Sequence, residues 1–232
     1  AKPVRVVVPL PPGGGVDNLA RLLADRIAGP MGQPLLIENR PGANGMIGAE
    51  AVARAAPDGH TLIHSPPAFV INALVYKNLP YDVLRDFIPV TNIGNSGGYL
   101  MLVAPSLGVN NIREFIALAK ARPNELVYSS SGAFGILHTP LVMFEGAAGV
   151  KFRHLPTTGG GPAITQALGG HAQITSGGPA AVINYVKSNK LKALGSWGVK
   201  PYPAMPDVPT FKSQGLDVEA YLWVGLFTVK GI

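Results

Sequence analysis

Short β-branched runs alternate with helix-patterned stretches along the whole of a 232-residue chain. That alternation leaves few folds open, because strand–helix–strand units stack into a largely parallel sheet with helices on its faces. Val4 to Val8 reads as the first strand. After Pro11-Pro12-Gly13-Gly14-Gly15, the residues Leu19, Leu22, Leu23 and Ile27 keep helical spacing, and Gly29-Pro30 is expected to stop that helix. Further strands are expected at 35–37, 61–64, 88–93 and 100–103, with a small-residue helix over 45–56.

Beyond Pro105 a second set of units begins, with Asn111 as the expected N-cap of a helix over 112–121. Strands are expected at 126–129, 152–155, 173–176 and 191–194, with helices near 137–146, 162–168 and 179–186. Residues 197–209 carry four prolines and read as a surface connector, after which 221–227 reads as a strand returning to the first set. The expected division is therefore a first lobe of 1–103 with 221–232 and a second lobe of 104–220, with a ligand cleft between them.

Composition narrows the class. With 47% apolar and 14% charged residues the chain has ample material for a core, which excludes disorder. Apolar runs such as 99–104 and 221–227 fall far short of the roughly 18–20 residues that cross a bilayer, so no direct membrane insertion is expected. The absence of cysteine excludes disulfides and thiolate metal sites. A net charge of +6 suits either an anionic partner or an ordinary solvated surface. The basic residues are scattered rather than clustered with aromatics, so nucleic acid is not expected as a partner. Ala1-Lys2-Pro3 running straight into a strand is how a mature exported chain would start after processing.

Four loops carry the candidate chemistry. Leu10, Pro11, Pro12, Gly13 and Gly14 lie between a strand and a helix, where glycine backbone can turn N–H groups outward into a nest over the positive helix end. Thr157, Thr158, Gly159 and Gly160 repeat the arrangement in the second set. The loop of Ser130, Ser131, Gly132, Phe134 and Gly135 adds hydroxyls, with His138 opening the next helix, and a turn at Gly177 precedes Pro179 at a first helical position. All four should lie at strand C-terminal ends, the edge where parallel sheets take ligands. The bland alternative for each is a tight strand-to-helix turn without a ligand.

Catalytic and metal readings find no assembled set. Gly94-Asn95-Ser96-Gly97-Gly98 matches a serine-hydrolase pattern, but a nucleophile elbow needs a helix after it and a strand is expected there. His60 and His64 flank a strand segment, about 13 Å apart at ~3.3 Å per residue, too far to share a metal. His154 and His171 have no evident partners, and Asp17 reads as a helix cap rather than a general base. Neither a phosphate loop nor a dinucleotide fingerprint occurs, and no cofactor is expected.

Several segments together resemble the receptors of tripartite tricarboxylate transporters, the Bug family of periplasmic solute-binding proteins. They are the runs 8–17 (VPLPPGGGVD), 38–45 (ENRPGANG), 57–61 (PDGHT), 86–90 (DFIPV), 128–135 with His138, 159–162 and 206–210 (PDVPT). The resemblance implies an α/β, two-lobed Venus-flytrap fold, each lobe a mainly parallel sheet flanked by helices. It implies capture of a small carboxylate in the periplasm and delivery to the membrane components of a tripartite transporter. It also implies that Leu10 to Gly14, Ser65, Pro67, Ala68, the 130–135 loop, Thr157 to Gly160 and Gly177 line the cleft. Departures are Leu10, where relatives often carry an aromatic residue, and Ala172-Gln173, where they often carry a branched residue and an aspartate. Relatives also continue past the position of Ile232 through helices expected to complete the first lobe. An anion-dependent enzyme or a ligand-sensing domain on the same fold is the alternative reading.

Overall fold

Val4–Val8 forms β1 because alternate valines have somewhere to go on both sides: Val7 enters one apolar cluster, while Val6 and Val8 enter clusters on the opposite face. In the computed structural model, which describes residues 2–95 and 97–232, the elements that follow are α1 (Gly15–Met31), β2 (Leu35–Asn39), α2 (Met46–Ala53), β3 (Thr61–Ser65), α3 (Ala68–Val75) and β4 (Phe87–Asn95). Next come β5 (Leu100–Val103), α4 (Ile112–Ala121), β6 (Val127–Ser130), α5 (Thr139–Ala148), β7 (Arg153–Pro156) and α6 (Gly160–Leu168). The chain ends with β8 (Ile174–Gly177), α7 (Pro179–Lys187), β9 (Lys192–Ser196) and β10 (Trp223–Val229). It divides into two units, Ala1–Gly94 with Trp223–Ile232, and Asn95–Leu222.

The first unit is a five-stranded sheet in the order β2-β1-β3-β10-β4. β1 runs parallel to β2 and β3, and β10 returns antiparallel to β3 with Leu226 opposite His64. Val7, Ile63, Phe69, Tyr81 and Phe87 build the core on one face. On the other, α1 lays down Val16, Ala20 and Ala24, four residues apart, over Val6, Val8, Val224 and Leu226. Small side chains on α1 let it approach the sheet closely.

The second unit repeats the plan in the order β7-β6-β8-β5-β9, with β6 parallel to β7 and β8, and β5 antiparallel to β8 and β9. All four residues of β5 are fully buried. Leu100 and Leu102 pack with Ile164 and Val182 on one face, and Met101 and Val103 with Phe115, Leu141 and Phe144 on the other. At about 1.5–3 kcal/mol per fully buried side chain, this strand anchors the unit.

Three expectations are corrected. β5 was expected in the first lobe, but its ladder partners β8 and β9 lie in the second unit, so the chain crosses after residue 94 rather than 103. α1 continues past Gly29-Pro30 to Met31, because a proline ring in the last turn removes one bond without ending the helix. The stop comes at Gly32, with φ +65°. α3 was not foreseen; its run AFVINALV is apolar on most sides and shows no clear period. The 197–209 connector runs over the surface as expected, with Val199 to Pro201, Pro203, Ala204, Pro206 and Asp207 exposed, but Trp197, Met205 and Val208 anchor it in the core.

Candidate functional site

In the first unit, register places the ends of β1, β2 and β3 on one sheet edge, since Val8 pairs with Asn39 and Val7 with Ile63. Leu10 is half-buried there, and Pro11, Pro12, Gly13 and Gly14 are exposed. Gly13 takes φ +82° and Gly14 caps α1 with no side-chain bond. The loop is pinned by Asp17, which is 1% exposed. Its Oδ2 accepts from the Gly13 N–H at 2.8 Å and from Arg21 Nε at 3.0 Å; its Oδ1 accepts from Arg21 Nη2 at 3.1 Å and Asn39 Nδ2 at 2.8 Å. Asn39 Nδ2 also reaches the Leu10 carbonyl at 3.1 Å.

Two readings change as a result. Asp17 is the third residue of α1, reaching back beyond the cap as an acidic residue does in a capping box. The Gly13 N–H, expected to face a ligand, is already committed to Asp17, so the donors at this helix end are those of Gly14 and the first turn. Burial opposes ionisation of Asp17, but hydrogen bonds from Arg21, Gly13 and Asn39 outweigh it and hold the carboxyl below its usual range.

On the same edge Ser65 is buried at the end of β3, Pro67 is half-buried and Ala68 opens α3, itself buried. The Ser65 hydroxyl lies 3.4 Å from the Pro66 carbonyl. His64, fully buried just before it, makes no hydrogen bond of good geometry at either ring nitrogen among the described residues, the Val16 backbone being its nearest polar support. Burial pushes its imidazole down to about 4, opposed by the backbone of Val16.

In the second unit the ends of β6, β7 and β8 likewise share an edge, with Ser130 opposite Pro156 and Ser129 opposite Thr175. The hydroxyls there knit the loops together. Ser129 Oγ donates to the Ala163 carbonyl at 2.7 Å, and fully buried Ser130 places its Oγ 3.2 Å from the Gly132 carbonyl and 2.6 Å from His154 Nε2. Ser131 Oγ accepts from the Leu137 N–H at 3.2 Å. Thr157 Oγ1 donates to the Ser130 carbonyl at 2.8 Å, tying the 157–161 loop to the 130–135 loop. Ser131 and Gly132 are half-buried, Phe134 is exposed at φ +58°, and Gly135 is buried with its N–H on the Gly132 carbonyl.

His138, 9% exposed at the start of α5, accepts the Phe134 N–H on Nδ1 at 3.1 Å. Thr158 is exposed, Gly159 and Gly160 are half-buried over the N-terminus of α6, and Gly177 is buried before α7. Among the described residues, the backbone N–H groups of Gly132, Ala133, Gly160 and Gly161 have no protein acceptor. The 132–133 turn and the N-terminus of α6 thus offer oriented dipoles, while the N-terminus of α1 also carries the ionised Asp17 paired with Arg21.

Sequence reasoning missed Arg21, Asn39 and His154. Arg21 was legible as the i+4 partner of Asp17. Asn39 and His154 were not: Asn39 reaches Asp17 on α1 and the Leu10 carbonyl from the end of β2, His154 reaches Ser130 across the β6–β7 pairing, and no local pattern reveals either approach. Ser96 of the hydrolase-like motif lies outside the described residues, but β5, not a helix, follows it. Among the described residues no group of three His, Asp or Glu side chains could hold a metal, and no helix is long and apolar enough to cross a membrane.

Two α/β units whose parallel strands end in glycine-rich turns over helix N-termini define the two-lobed periplasmic-binding-protein fold. Solved structures share it over nearly the whole chain. A protein of R. palustris with adipate is 31% identical at TM-score 0.90, covering 98% of this chain and 77% of that one. MatC of Rhodopseudomonas palustris with bound malate is 30% identical at TM-score 0.89, covering 98% and 78%. BugT of Bordetella pertussis is 32% identical over 234 residues, spanning 100% of this chain and 72% of its own. The tripartite tricarboxylate transporter family receptor pattern matches residues 19–232, and the chain belongs to that family.

Proposed function

We propose that this protein is a periplasmic receptor that binds a small organic carboxylate without transforming it and hands it to a tripartite tricarboxylate transporter. One observation carries the reading: each unit gathers glycine-rich turns and helix N-termini at the C-terminal edge of its parallel strands, with donors directed by the backbone rather than by a cationic side chain. Adipate and malate in two similar structures are both carboxylates, which supports the ligand class. Leu10, Pro11, Pro12, Gly14, Ser65, Pro67 and Ala68 would serve from the first unit, and the loops at 130–135, 157–160 and 177 from the second.

The magnitudes suffice. Each helix end contributes about 0.3–2 kcal/mol towards an anion and each charge-assisted hydrogen bond about 1.5–3. Several together, less the cost of immobilisation, reach the roughly 8 kcal/mol of a micromolar complex.

An enzyme reading has one observation in its favour, the 2.6 Å approach of Ser130 Oγ to His154 Nε2. Ser130 is fully buried, however, and a nucleophile must meet its substrate. A thermal-shift screen of carboxylates, amino acids, aromatic acids, sugars and phosphate tests both readings, because a ligand of the native state raises the midpoint by mass action. A carboxylate hit recovered unchanged is expected; a hit converted to product would favour the enzyme.

A further inference from the structure

The Ser130–Gly135 loop is backed by a stack of rings. His154 on β7 lies 4.7 Å from the Tyr128 ring, centroid to centroid and 13° from parallel, and 4.4 Å from the His138 ring at 40°. Each imidazole touches the loop through one nitrogen. His138 Nδ1 accepts the Phe134 N–H, which requires a bare Nδ1 and puts the ring proton on Nε2. His154 Nε2 meets Ser130 Oγ, which also lies within reach of the Gly132 carbonyl.

A serine hydroxyl has one proton to give. Spent on His154, it leaves the Gly132 carbonyl without that donor. With the His154 proton on Nε2, both contacts become hydrogen bonds in a chain from Nε2–H to Oγ–H to the Gly132 carbonyl, and each bond polarises the next.

We propose that His154 and His138, both neutral and both protonated on Nε2, are positioning residues that hold the Ser130–Gly135 loop in its carboxylate-binding shape; this rests on the carboxylate reading above. Gly132 at φ +104° and Phe134 at φ +58° are the two residues whose backbone most needs holding, and each receives one of the two imidazole-dependent bonds. With those turns fixed, the Gly132 and Ala133 N–H groups keep one direction.

The surroundings favour neutral rings. Burial pushes His138 down to about 4, with His154 adding to the effect, and burial also lowers His154. The other titratable groups around the stack are Tyr128 on β6, whose phenol is raised by burial and then by Glu145, and Glu145 on α5, whose Oε1 accepts the Phe152 N–H at 2.7 Å. The loop is thus shaped by imidazoles without gaining a positive charge from them.

Long-range proton–nitrogen correlation spectra of the 15N-labelled protein at pH 7 read the tautomers without any ligand. Nε2–H on both rings is expected; an Nδ1–H tautomer or an imidazolium at His138, or a bare Nε2 at His154, overturns the proposal. Calorimetry with malate and adipate then compares isosteric with apolar replacements. H138N keeps an acceptor near the Nδ1 position and H154Q a donor near the Nε2 position, and both should stay within about threefold of wild type, while H138L and H154L bind about tenfold more weakly or worse. Equal affinity across all five proteins overturns the proposal. Wild-type protein that binds no acid of the carboxylate, amino-acid and aromatic-acid panel would refute the carboxylate reading instead, and the tautomers would still decide the imidazole assignment.

Discussion

Asp17 is the charged side chain that ties the first candidate loop to both α1 and β2. It is buried, ionised, and bonded to Gly13, Arg21 and Asn39 at once. Asp17→Ala strands those donors and should cost about 1–3 kcal/mol in denaturant unfolding. His64 is the opposite case, a buried imidazole with no well-formed hydrogen bond among the described residues and only the Val16 backbone to offset its burial. His64→Leu should raise stability by about 1–3 kcal/mol, because an apolar group of similar size removes an unmet polar demand.

The two residues also separate by pH. His64 and His138 titrate from 6.5 in the unfolded chain to about 4 when folded, so the unfolded state binds more protons in between. Their neutral forms support the fold fully above about pH 6.5, and that support is lost as pH falls towards 4. Asp17, with a lowered value, supports the fold above its unfolded value of 3.8 and loses that support as pH falls further, through its folded value. Melting midpoints measured from pH 7 to pH 3 should fall in both windows. His64→Leu should shallow the upper one only, and an unchanged slope there would count against the burial assignment.

At the scale of elements, close packing at the strand ends decides which turns can form. A Cβ on Gly177 would lie 2.5 Å from Val182 Cγ1, and Val182 is fully buried on α7. Gly177→Ala should therefore cost about 1–3 kcal/mol through overpacking, read as a lower thermal midpoint. Elements of this kind were legible where composition and period agree. The α4 segment matched because Asn111 caps it through the Glu114 N–H and its apolar spacing is regular. The α3 segment was not legible, since an almost wholly apolar octapeptide after two prolines carries neither period nor cap. The candidate loops were legible as glycine runs between strand and helix. What each hydroxyl bonds was not: Ser130, Thr157 and His154 meet through β6–β7 register, 24 to 27 residues apart in sequence.

For the whole molecule, two α/β units came from the alternation of short strands and helices, and the return of β10 to the first sheet came from a late apolar run after the proline-rich connector. The crossing point was misplaced because β5 reads as continuous with β4, while its four buried residues belong to a sheet formed later in the chain. The proposed function rests at this scale on repetition. Each unit ends its parallel strands in glycine-rich turns over helix N-termini, and the proposal is that such ends hold an organic anion.

Isothermal titration of the intact protein with malate, adipate and a matched set of neutral sugars and inorganic phosphate, with the recovered ligand analysed afterwards, tests that claim most directly. A carboxylate should bind one to one at micromolar affinity or tighter and come back chemically unchanged. Binding of only sugar or phosphate, or recovery of a converted carboxylate, would contradict it.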